Sequence, residues 1–458
     1  MPNGAHKELP NQKADVVILG GGLAGLAAAI HLSRAGLAVV CLEQRETIQH
    51  IVGESLDWSA PDLLAQLGLP MEELLSSGAA TYKRHIVISD IDGKEEHYKP
   101  GPWLAKPPFN VEVRTMHLDR DHIHKALTKI LARTDVQMIH EKAVGFETRD
   151  GRILAVETSA GRRFDASWFI DAAGAAASVL GRELQIPSVN YGPRKVAIWG
   201  HVPTDKWVEG TNLYMLNSAD QYMEWLWEIP ISPGVSSLGY VAPGSKVKIL
   251  RAHGLSNAEI WRKQLENFPK FAPLLQFSES VPLAVTSFLC RTYTQLCGKN
   301  WILIGEAGSQ SDPITGNGVT AALRHASEAS AMISATRDRD SFPLLARYAY
   351  NLRHVGLGRF FNSLIEKIFY EPSLRGLIGV FRAGDVYTVP AWTTNLIYAR
   401  TRPRRILGTL ILGSALLTMR MAAWAAFRVS RQLNKRHRAA TRPLALEERK
   451  ELALHNEG

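Results

Sequence analysis

Cysteine is scarce. Cys41, Cys290 and Cys297 are the only three in 458 residues. That is too few for a disulfide framework, and the absence of any CxxC pair argues against a structural zinc or a dithiol redox site. The N-terminal stretch MPNGAHKELPNQKA carries no apolar core of the kind a secretory signal needs. A cytoplasmic protein is therefore expected, with residues 1–14 read as a disordered leader. Internal repeats and low-complexity runs are missing, which excludes solenoids and fibrous arrays. The formal net charge of +9 invites a nucleic-acid reading, but much of the excess sits in the C-terminal tail. Without a groove of interleaved basic and aromatic residues, nucleic acid is set aside. What remains is ordinary: 46% hydrophobic and 21% charged residues, in a chain long enough for several domains or one composite enzyme.

One stretch departs from that plain background. Asp15 to Glu43 reads DVVILGGGLAGLAAAIHLSRAGLAVVCLE. An apolar strand, Val16 to Leu19, meets Gly20, Gly22 and Gly25 in GxGxxG spacing. A helix rich in Ala and Leu follows, then a second strand, Ala38 to Leu42, ending on Glu43. Gly20 permits the tight turn, Gly22 lets a pyrophosphate approach the backbone, and Gly25 lets helix and strand pack closely. Leu23 and Ala24 open the helix, whose unpaired N–H groups and dipole favour phosphate. Glu43, eighteen residues past the last glycine, is placed to accept hydrogen bonds from ribose hydroxyls. Strand, turn, helix, strand and acid in register predict a dinucleotide site.

The rest of the chain reads as short strands and helices. A helix is expected at Ala60–Leu67, stopped by Gly68, then a loop at Gly78–Arg84 and a strand at His85–Ser89 turning at Asp92-Gly93. A helix over Asp119–Leu131 and a strand at Val136–Ile139 follow. Val144–Thr148 and Ile153–Thr158 form a hairpin across Asp150-Gly151, and Arg163–Ile170 runs into Asp171-Ala172-Ala173-Gly174. Residues 196–240 are strand-rich and aromatic, as a substrate-covering sheet should be. Trp301–Gly305 is a short buried strand, with a helix from Gly318. The expected fold class is α/β: a Rossmann-type domain over 15–190 with interleaved segments, a mixed β-sheet substrate domain over 191–290, a returning part of the first domain over 291–340, and a helical region over 341–458.

Glycine punctuation thus recurs at 20–25, 171–174 and 305–318. Over roughly residues 15–330 this pattern resembles the FAD-containing oxygenases of the aromatic-hydroxylase fold. The resemblance implies FAD as cofactor, with Asp171 and Gly174 in the second element. Gly305-Glu306 stands where the family has Gly-Asp, so Glu306 takes the carboxylate's role on the ribityl chain. The third element continues through Asp312-Pro313-Ile314-Thr315-Gly316-Asn317-Gly318. Pro313, Gly316, Asn317 and Gly318 would line the flavin, with the following helix N-terminus favouring negative charge on the ring. Arg120, in His117-Leu118-Asp119-Arg120, matches a family arginine near the cofactor; a surface arginine is the plain alternative.

Three further features resemble the flavin-dependent halogenases. Gly53-Glu54-Ser55 matches their GE[AS] stretch, adding Glu54 and Ser55 to the cofactor-binding candidates. Trp225, Trp227, Ile229 and Pro230 complete a WxWxIP signature; the two tryptophans, two apart on a strand, share a face and could wall a substrate space. Ordinary sheet core is the alternative. Lys83, 29 residues after Glu54, stands close to where halogenases carry their catalytic lysine, against the alternative of a solvated strand-edge lysine. In that family reduced FAD and O₂ give a C4a-hydroperoxide that oxidises halide, and the lysine aims the small oxidant at an electron-rich ring.

Departures keep other activities open. Thr315 stands where tryptophan halogenases carry Glu, Asn317-Gly318 replaces a Thr/Ser-Gly pair, and the loop is nearer the PxxGxG of flavin hydroxylases. The activity leans to halogenation, with hydroxylation of an aromatic or peptidyl ring close behind. Reduction of a lipid-like or isoprenoid substrate is a third possibility. A small-molecule or carrier-bound substrate is implied. With no second dinucleotide fingerprint, a separate flavin reductase is the expected source of electrons. Residues 406–427, apolar apart from Arg420 and flanked by Arg and Lys, fit an in-plane helix with peripheral contact at the inner membrane surface, or a buried helix.

Overall fold

The computed structural model describes residues 12–45, 52–57, 59–98, 114–174, 178–204, 210–217, 221–275 and 280–371. The stretch 406–427, and with it the expected membrane contact, lies outside the described residues. Among those described, no helix is long and apolar enough to cross a membrane. The chain divides into two compact units, Met1–Leu216 with Glu224–Asn362, and Asn217–Met223 with Ser363–Gly458.

The two large sheets, of seven strands each, belong to the first unit. In the first, Gln12–Leu19 runs parallel to Val39–Leu42 on one side and Arg163–Asp171 on the other, and Gln137–Ile139 extends the parallel set. Val16–Leu19 and Val39–Leu42 are wholly buried, as strands covered on both faces must be. The leading strand starts at Gln12, inside the stretch read as a leader. Gln12 to Ala14 pair with Phe164 to Ala166, because a ladder needs backbone partners rather than apolar side chains at its end. Helices Leu23–Arg34 and Gly318–Ser334 pack on each other, with Ala27, Ala28, Ala322 and Ala326 buried.

The far edge of Arg163–Asp171 is forked. Its first residues pair antiparallel with Ala155–Glu157, its last in parallel with Trp301–Leu303. Asn300 fills the fork, fully buried. Its amide accepts from the Ile153 N–H (3.0 Å) and donates to the carbonyls of Ile153 (2.7 Å) and Ser167 (3.0 Å). These are backbone groups that the diverging strands would otherwise strand without partners.

The second sheet has the order Ala284–Phe288, Lys195–Pro203, Val235–Pro243, Trp225–Ser232, Thr211–Met215, Ile86–Asp90, Glu95–Tyr98. Its last two strands come from the early chain, so the sheet expected at 191–290 is completed by residues 86–98. One face packs Leu226, Tyr240 and Tyr214 against Val247, Ile260 and Trp261 of two covering helices. On that face Glu224 accepts from Tyr240 and Lys246, and Glu228 from Tyr214 and Lys270. The opposite face carries Trp199, Trp225 and Trp227, all buried.

The loop expected at Gly78–Arg84 is instead largely a strand, Ala80–Lys83, antiparallel to Thr115–Leu118. Its partner is far away in sequence, and four residues carry too little alternation to announce a pairing. Helix Leu344–Ile365 docks on the first sheet's flank through a polar stripe: Asn351 accepts from Leu296 N–H (2.7 Å), and Asn362 donates to the Gln310 carbonyl (3.1 Å). In the second unit, the described residues show the Tyr222 hydroxyl donating to Glu366 (2.8 Å) and its ring stacked on Tyr370.

Asn300→Leu removes three buried hydrogen bonds and is expected to cost roughly 3 kcal/mol. The check is a lower urea midpoint.

Candidate active site

The glycine turn is built by close backbone approach. A Cβ on Gly25 would lie 1.9 Å from the Gly20 carbonyl oxygen, and one on Gly20, at φ +104°, would lie 2.6 Å from the Ala172 oxygen. A Cβ on Gly22 would meet nothing within 4 Å among the described residues. The helix that begins at Leu23 and Ala24 has no side-chain cap and no acid in its first turn, leaving its N–H groups and dipole toward that open space. Glu43 stands beside it, one carboxylate oxygen accepting from the Gly21 N–H (2.7 Å) and the other from Arg45 N–H (2.9 Å). An open, positively polarised turn next to a half-buried carboxylate fits a dinucleotide.

Asp171 is fully buried and turned inward. It accepts from the Ala173 and Leu180 N–H groups and the Ser178 hydroxyl. Burial pushes its carboxyl up to about 6 against those donors. Its geometry serves the loop to Gly174, which adopts φ +81°.

The third glycine element faces the first. Gly305, at φ +58°, packs against Ala24 and donates its N–H to His325 Nδ1 (3.1 Å). Glu306 follows, exposed at its surface. Protein nonetheless crowds it, raising its carboxyl through desolvation while Arg120 opposes the shift. Arg120 is likewise crowded, with Glu306 and Glu54 as neighbouring acids, and donates to the Gly53 carbonyl (3.3 Å). Asp312 caps the short turn Pro313–Thr315 by accepting from the Ile314 N–H (3.1 Å). Gly316, at φ +58°, closes that turn against the Ser55 carbonyl. Asn317 then caps helix Gly318–Ser334 without a side-chain bond. The Thr315 hydroxyl is spent on the Asp312 carbonyl (2.8 Å).

The halogenase-like features come together. Residues 54–57 lie along Thr115–Leu118 as a short added strand, bonded through Leu56 N–H to Met116 and Leu118 N–H to Glu54. Thr115–Leu118 pairs in turn with Ala80–Lys83, and both lie against Trp225–Ser232. Lys83 is half-buried and reaches across to donate to the Leu56 carbonyl (2.9 Å). Its crowded setting pushes the ammonium down to about 8, with Asp57 pulling the other way. Trp225 and Trp227 share a face as expected, ring centroids 5.7 Å apart. Trp227 lies flat over Gly239, where a Cβ would clash at 2.2 Å, and donates to Ser237 (3.0 Å). Ile229 is buried beside them. The Pro230 carbonyl accepts from the Thr81 hydroxyl (2.5 Å).

Four residues here escaped the sequence reading. His325 sits under Gly305. Lys195, 1% exposed, pairs with Asp312 (3.3 Å) behind the turn Pro313–Thr315. His201 is bonded through Nε2 to Glu54 (2.7 Å). Burial opposes charge on its ring, but the Glu54 bond and nearby Asp119 and Asp121 raise it overall. Glu54 is 2% exposed, and its second oxygen has no hydrogen-bond partner among the described residues. His117 is the fourth. None lies in a spacing that local pattern could reveal, since each partner comes from another segment.

The profile of the FAD binding domain family matches residues 13–356. Among similar proteins is the 1H-pyrrole-2-carbonyl-(peptidyl-carrier protein) brominase of Pseudoalteromonas luteoviolacea, 27% identical over 339 residues, covering 71% of this chain and 78% of that one. The structure of the flavin-dependent brominase Bmp2 aligns at 19% identity with a TM-score of 0.63, over 80% of this chain and 92% of that chain. PqsL, a probable FAD-dependent monooxygenase from Pseudomonas aeruginosa, aligns at 16% identity and TM-score 0.66, over 80% of this chain and 100% of that chain.

Gly22→Ala is expected to fold like the parent yet bind FAD about tenfold more weakly or worse, its methyl entering the open space before the helix. Gly25→Ala is expected not to fold. Circular dichroism together with flavin absorbance of the purified proteins separates the two.

Proposed function

Because the chain belongs to the FAD binding domain family, we propose that this flavin-dependent oxidoreductase oxidises halide and halogenates an electron-rich organic substrate. The observation that carries the reading is Lys83, a half-buried lysine lowered to about 8 on a strand knit to the Glu54–Ser55 segment. A solvated strand-edge lysine would keep neither its bond to the Leu56 carbonyl nor its depressed proton affinity. Bound FAD, reduced by a separate flavin reductase, would supply the oxidising equivalents with O₂.

The residues divide the work. The turn at Gly20, Gly22 and Gly25 would hold the pyrophosphate, and Glu43 the ribose. Glu306, Arg120 and the amides at Asn317 and Gly318 would face the flavin. Glu54, Ser55, Pro313 and Gly316 shape the loops around it, while Asp171 and Gly174 hold the second glycine element. Lys83 spends one N–H on Leu56 and keeps others to hold a small oxidant by hydrogen bonds. Trp225, Trp227, Ile229 and Pro230, buried in their strand, would back the side from which a ring would approach. The brominase relative is named for a substrate on a peptidyl-carrier protein, and a carrier-bound ring suits a site that guards its oxidant.

Hydroxylation is the second reading, favoured by Thr315. Its hydroxyl is turned onto the Asp312 carbonyl, leaving that position without the carboxylate of tryptophan halogenases. In that case an oxygen atom would reach the substrate directly, and halide would be irrelevant. Single turnover of the reduced holoenzyme with O₂, with and without bromide or chloride, decides between them through the product of a reactive phenol.

Lys83→Met is expected to abolish halogenated product while oxygen consumption persists. Its stability should move the other way. The unfolded chain holds the Lys83 proton more tightly between pH 8 and the ordinary lysine value of about 10.4. The lysine therefore costs stability most below pH 8, and the cost falls as pH rises through that window. At pH 7 Lys83→Met should melt no lower than the parent. In the parent, halogenation should decline above about pH 8 as the ammonium is lost, with oxygen uptake unchanged.

A further inference from the structure

His117 is completely buried between three elements. Its Nδ1 lies 3.2 Å from the Thr81 hydroxyl and its Nε2 2.9 Å from the Thr211 hydroxyl. Thr81 also reaches the Pro230 carbonyl, and Thr211 lies 2.8 Å from the Ser55 hydroxyl. The chain therefore runs from Ser55 through Thr211, His117 and Thr81 to Pro230.

Donor accounting fixes its direction. A carbonyl only accepts, so the Thr81 hydrogen goes to Pro230 and the Thr81 oxygen must accept from His117 Nδ1–H. Burial, with Lys83 and His85 nearby, keeps the ring neutral, so Nε2 is bare and accepts from Thr211. Thr211 then accepts from Ser55. Each hydroxyl gives one hydrogen bond and takes one or ends the chain, and no atom of the imidazole is left over.

Pro230 makes the far end possible. The ladder to Val235–Pro243 slips between Pro230 and Ser232, and a bulge of this kind turns a carbonyl out of the ladder. The proline of the WxWxIP stretch thus hands its oxygen to the Lys83 strand. Ser55 belongs to the Glu54–Ser55 segment, whose carbonyl also meets Gly316. Three stretches far apart in sequence meet through one imidazole.

We infer that His117 is a positioning residue, whose hydrogen-bond chain locks residues 54–57, the Lys83 strand and the Trp225–Ser232 strand in one register and so fixes where the Lys83 ammonium sits. The inference rests on the halogenation reading. Lys83 bonds to Leu56, one residue past Ser55, and its strand is held at Thr81, two residues before it. A slip at His117 would move both supports of the ammonium without touching the flavin turn at Gly20–Gly25.

The test compares the parent holoenzyme with His117→Phe, His117→Gln and Thr211→Val. The readouts are FAD content, melting temperature, oxygen uptake, halogenated product per oxygen consumed, and free oxidant trapped by a small phenol. His117→Phe and Thr211→Val are expected to keep FAD and oxygen uptake within about twofold. Product per oxygen should fall at least about tenfold, toward the roughly hundredfold that a reacting group misplaced by about 1 Å can cost, with trapped oxidant rising. His117→Gln, which supplies one donor and one acceptor, should restore most of the coupling. Unchanged coupling in both disruptive variants overturns the inference. So does a parallel fall of FAD, uptake and product in both, which would mean only structural damage. Nitrogen-15 NMR gives an arm independent of turnover: the parent should show a histidine still held as Nδ1–H with bare Nε2 at a pH below the ordinary imidazole value of about 6.5, missing in His117→Gln. The opposite tautomer also overturns the chain. A parent that makes no halogenated product sinks the halogenation reading instead, and the tautomer then judges the tether alone.

Discussion

The architecture depends on one very close approach of backbone to backbone. Gly25 packs with no room for a methyl against the Gly20 carbonyl, and Gly20 packs in the same way on Ala172. Strand, helix and the loop after Asp171 are thereby drawn to a single point. Everything that bears on chemistry is measured from there. The third glycine element leans on it through Gly305 and Ala24, and the loop of Gly316 leans on Ser55 in turn. Steric necessity, rather than any strong attraction, sets this arrangement.

Polar side chains then act as fasteners at the seams. Asn300 closes the fork of the first sheet, Lys195 and Asp312 join the second sheet to the turn Pro313–Thr315, and His117 ties three segments together. Each is buried, and a buried polar group without partners costs more than its bonds contribute. That asymmetry makes such groups selective. They add modest net stability, yet they strongly penalise any register in which their partners are displaced. Greasy contacts alone would tolerate a slip of the Lys83 strand by a residue pair; the His117 chain does not.

Much of this was legible in the sequence because it is written locally. The strand–turn–helix of residues 15–43, the hairpin across Asp150-Gly151, the helix ending at Gly68 and the turn at Asp92-Gly93 all follow from short-range spacing. The site was partly legible for the same reason: the glycines, Glu43 and the tryptophan pair declare themselves by pattern. Lys83 was visible, but its strand was not, since Thr115–Leu118 gives no local sign of being its partner. His117, Lys195, His201 and His325 were beyond reach on principle. A lone histidine or lysine acquires meaning only from groups that the fold brings to it. The inward turn of Asp171 likewise shows only in three dimensions, because Ser178 and Leu180 reach it through a fold-back of the loop that no spacing declares.

The interleaving of the two sheets carries a consequence for how the molecule comes into being. One edge of Ile86–Asp90 pairs at once with Glu95–Tyr98, but the other is filled only when Thr211–Met215 exists, and the far end of the Arg163–Asp171 edge waits for Trp301–Leu303. As the chain leaves the ribosome, neither sheet can close early, and unsatisfied strand edges persist until about two thirds of the protein has been made. Long-range pairing of this sort is slow and prone to misassociation. A nascent chain of this topology has strong reason to lean on a chaperone, and neither half could be cut out to live as a domain of its own.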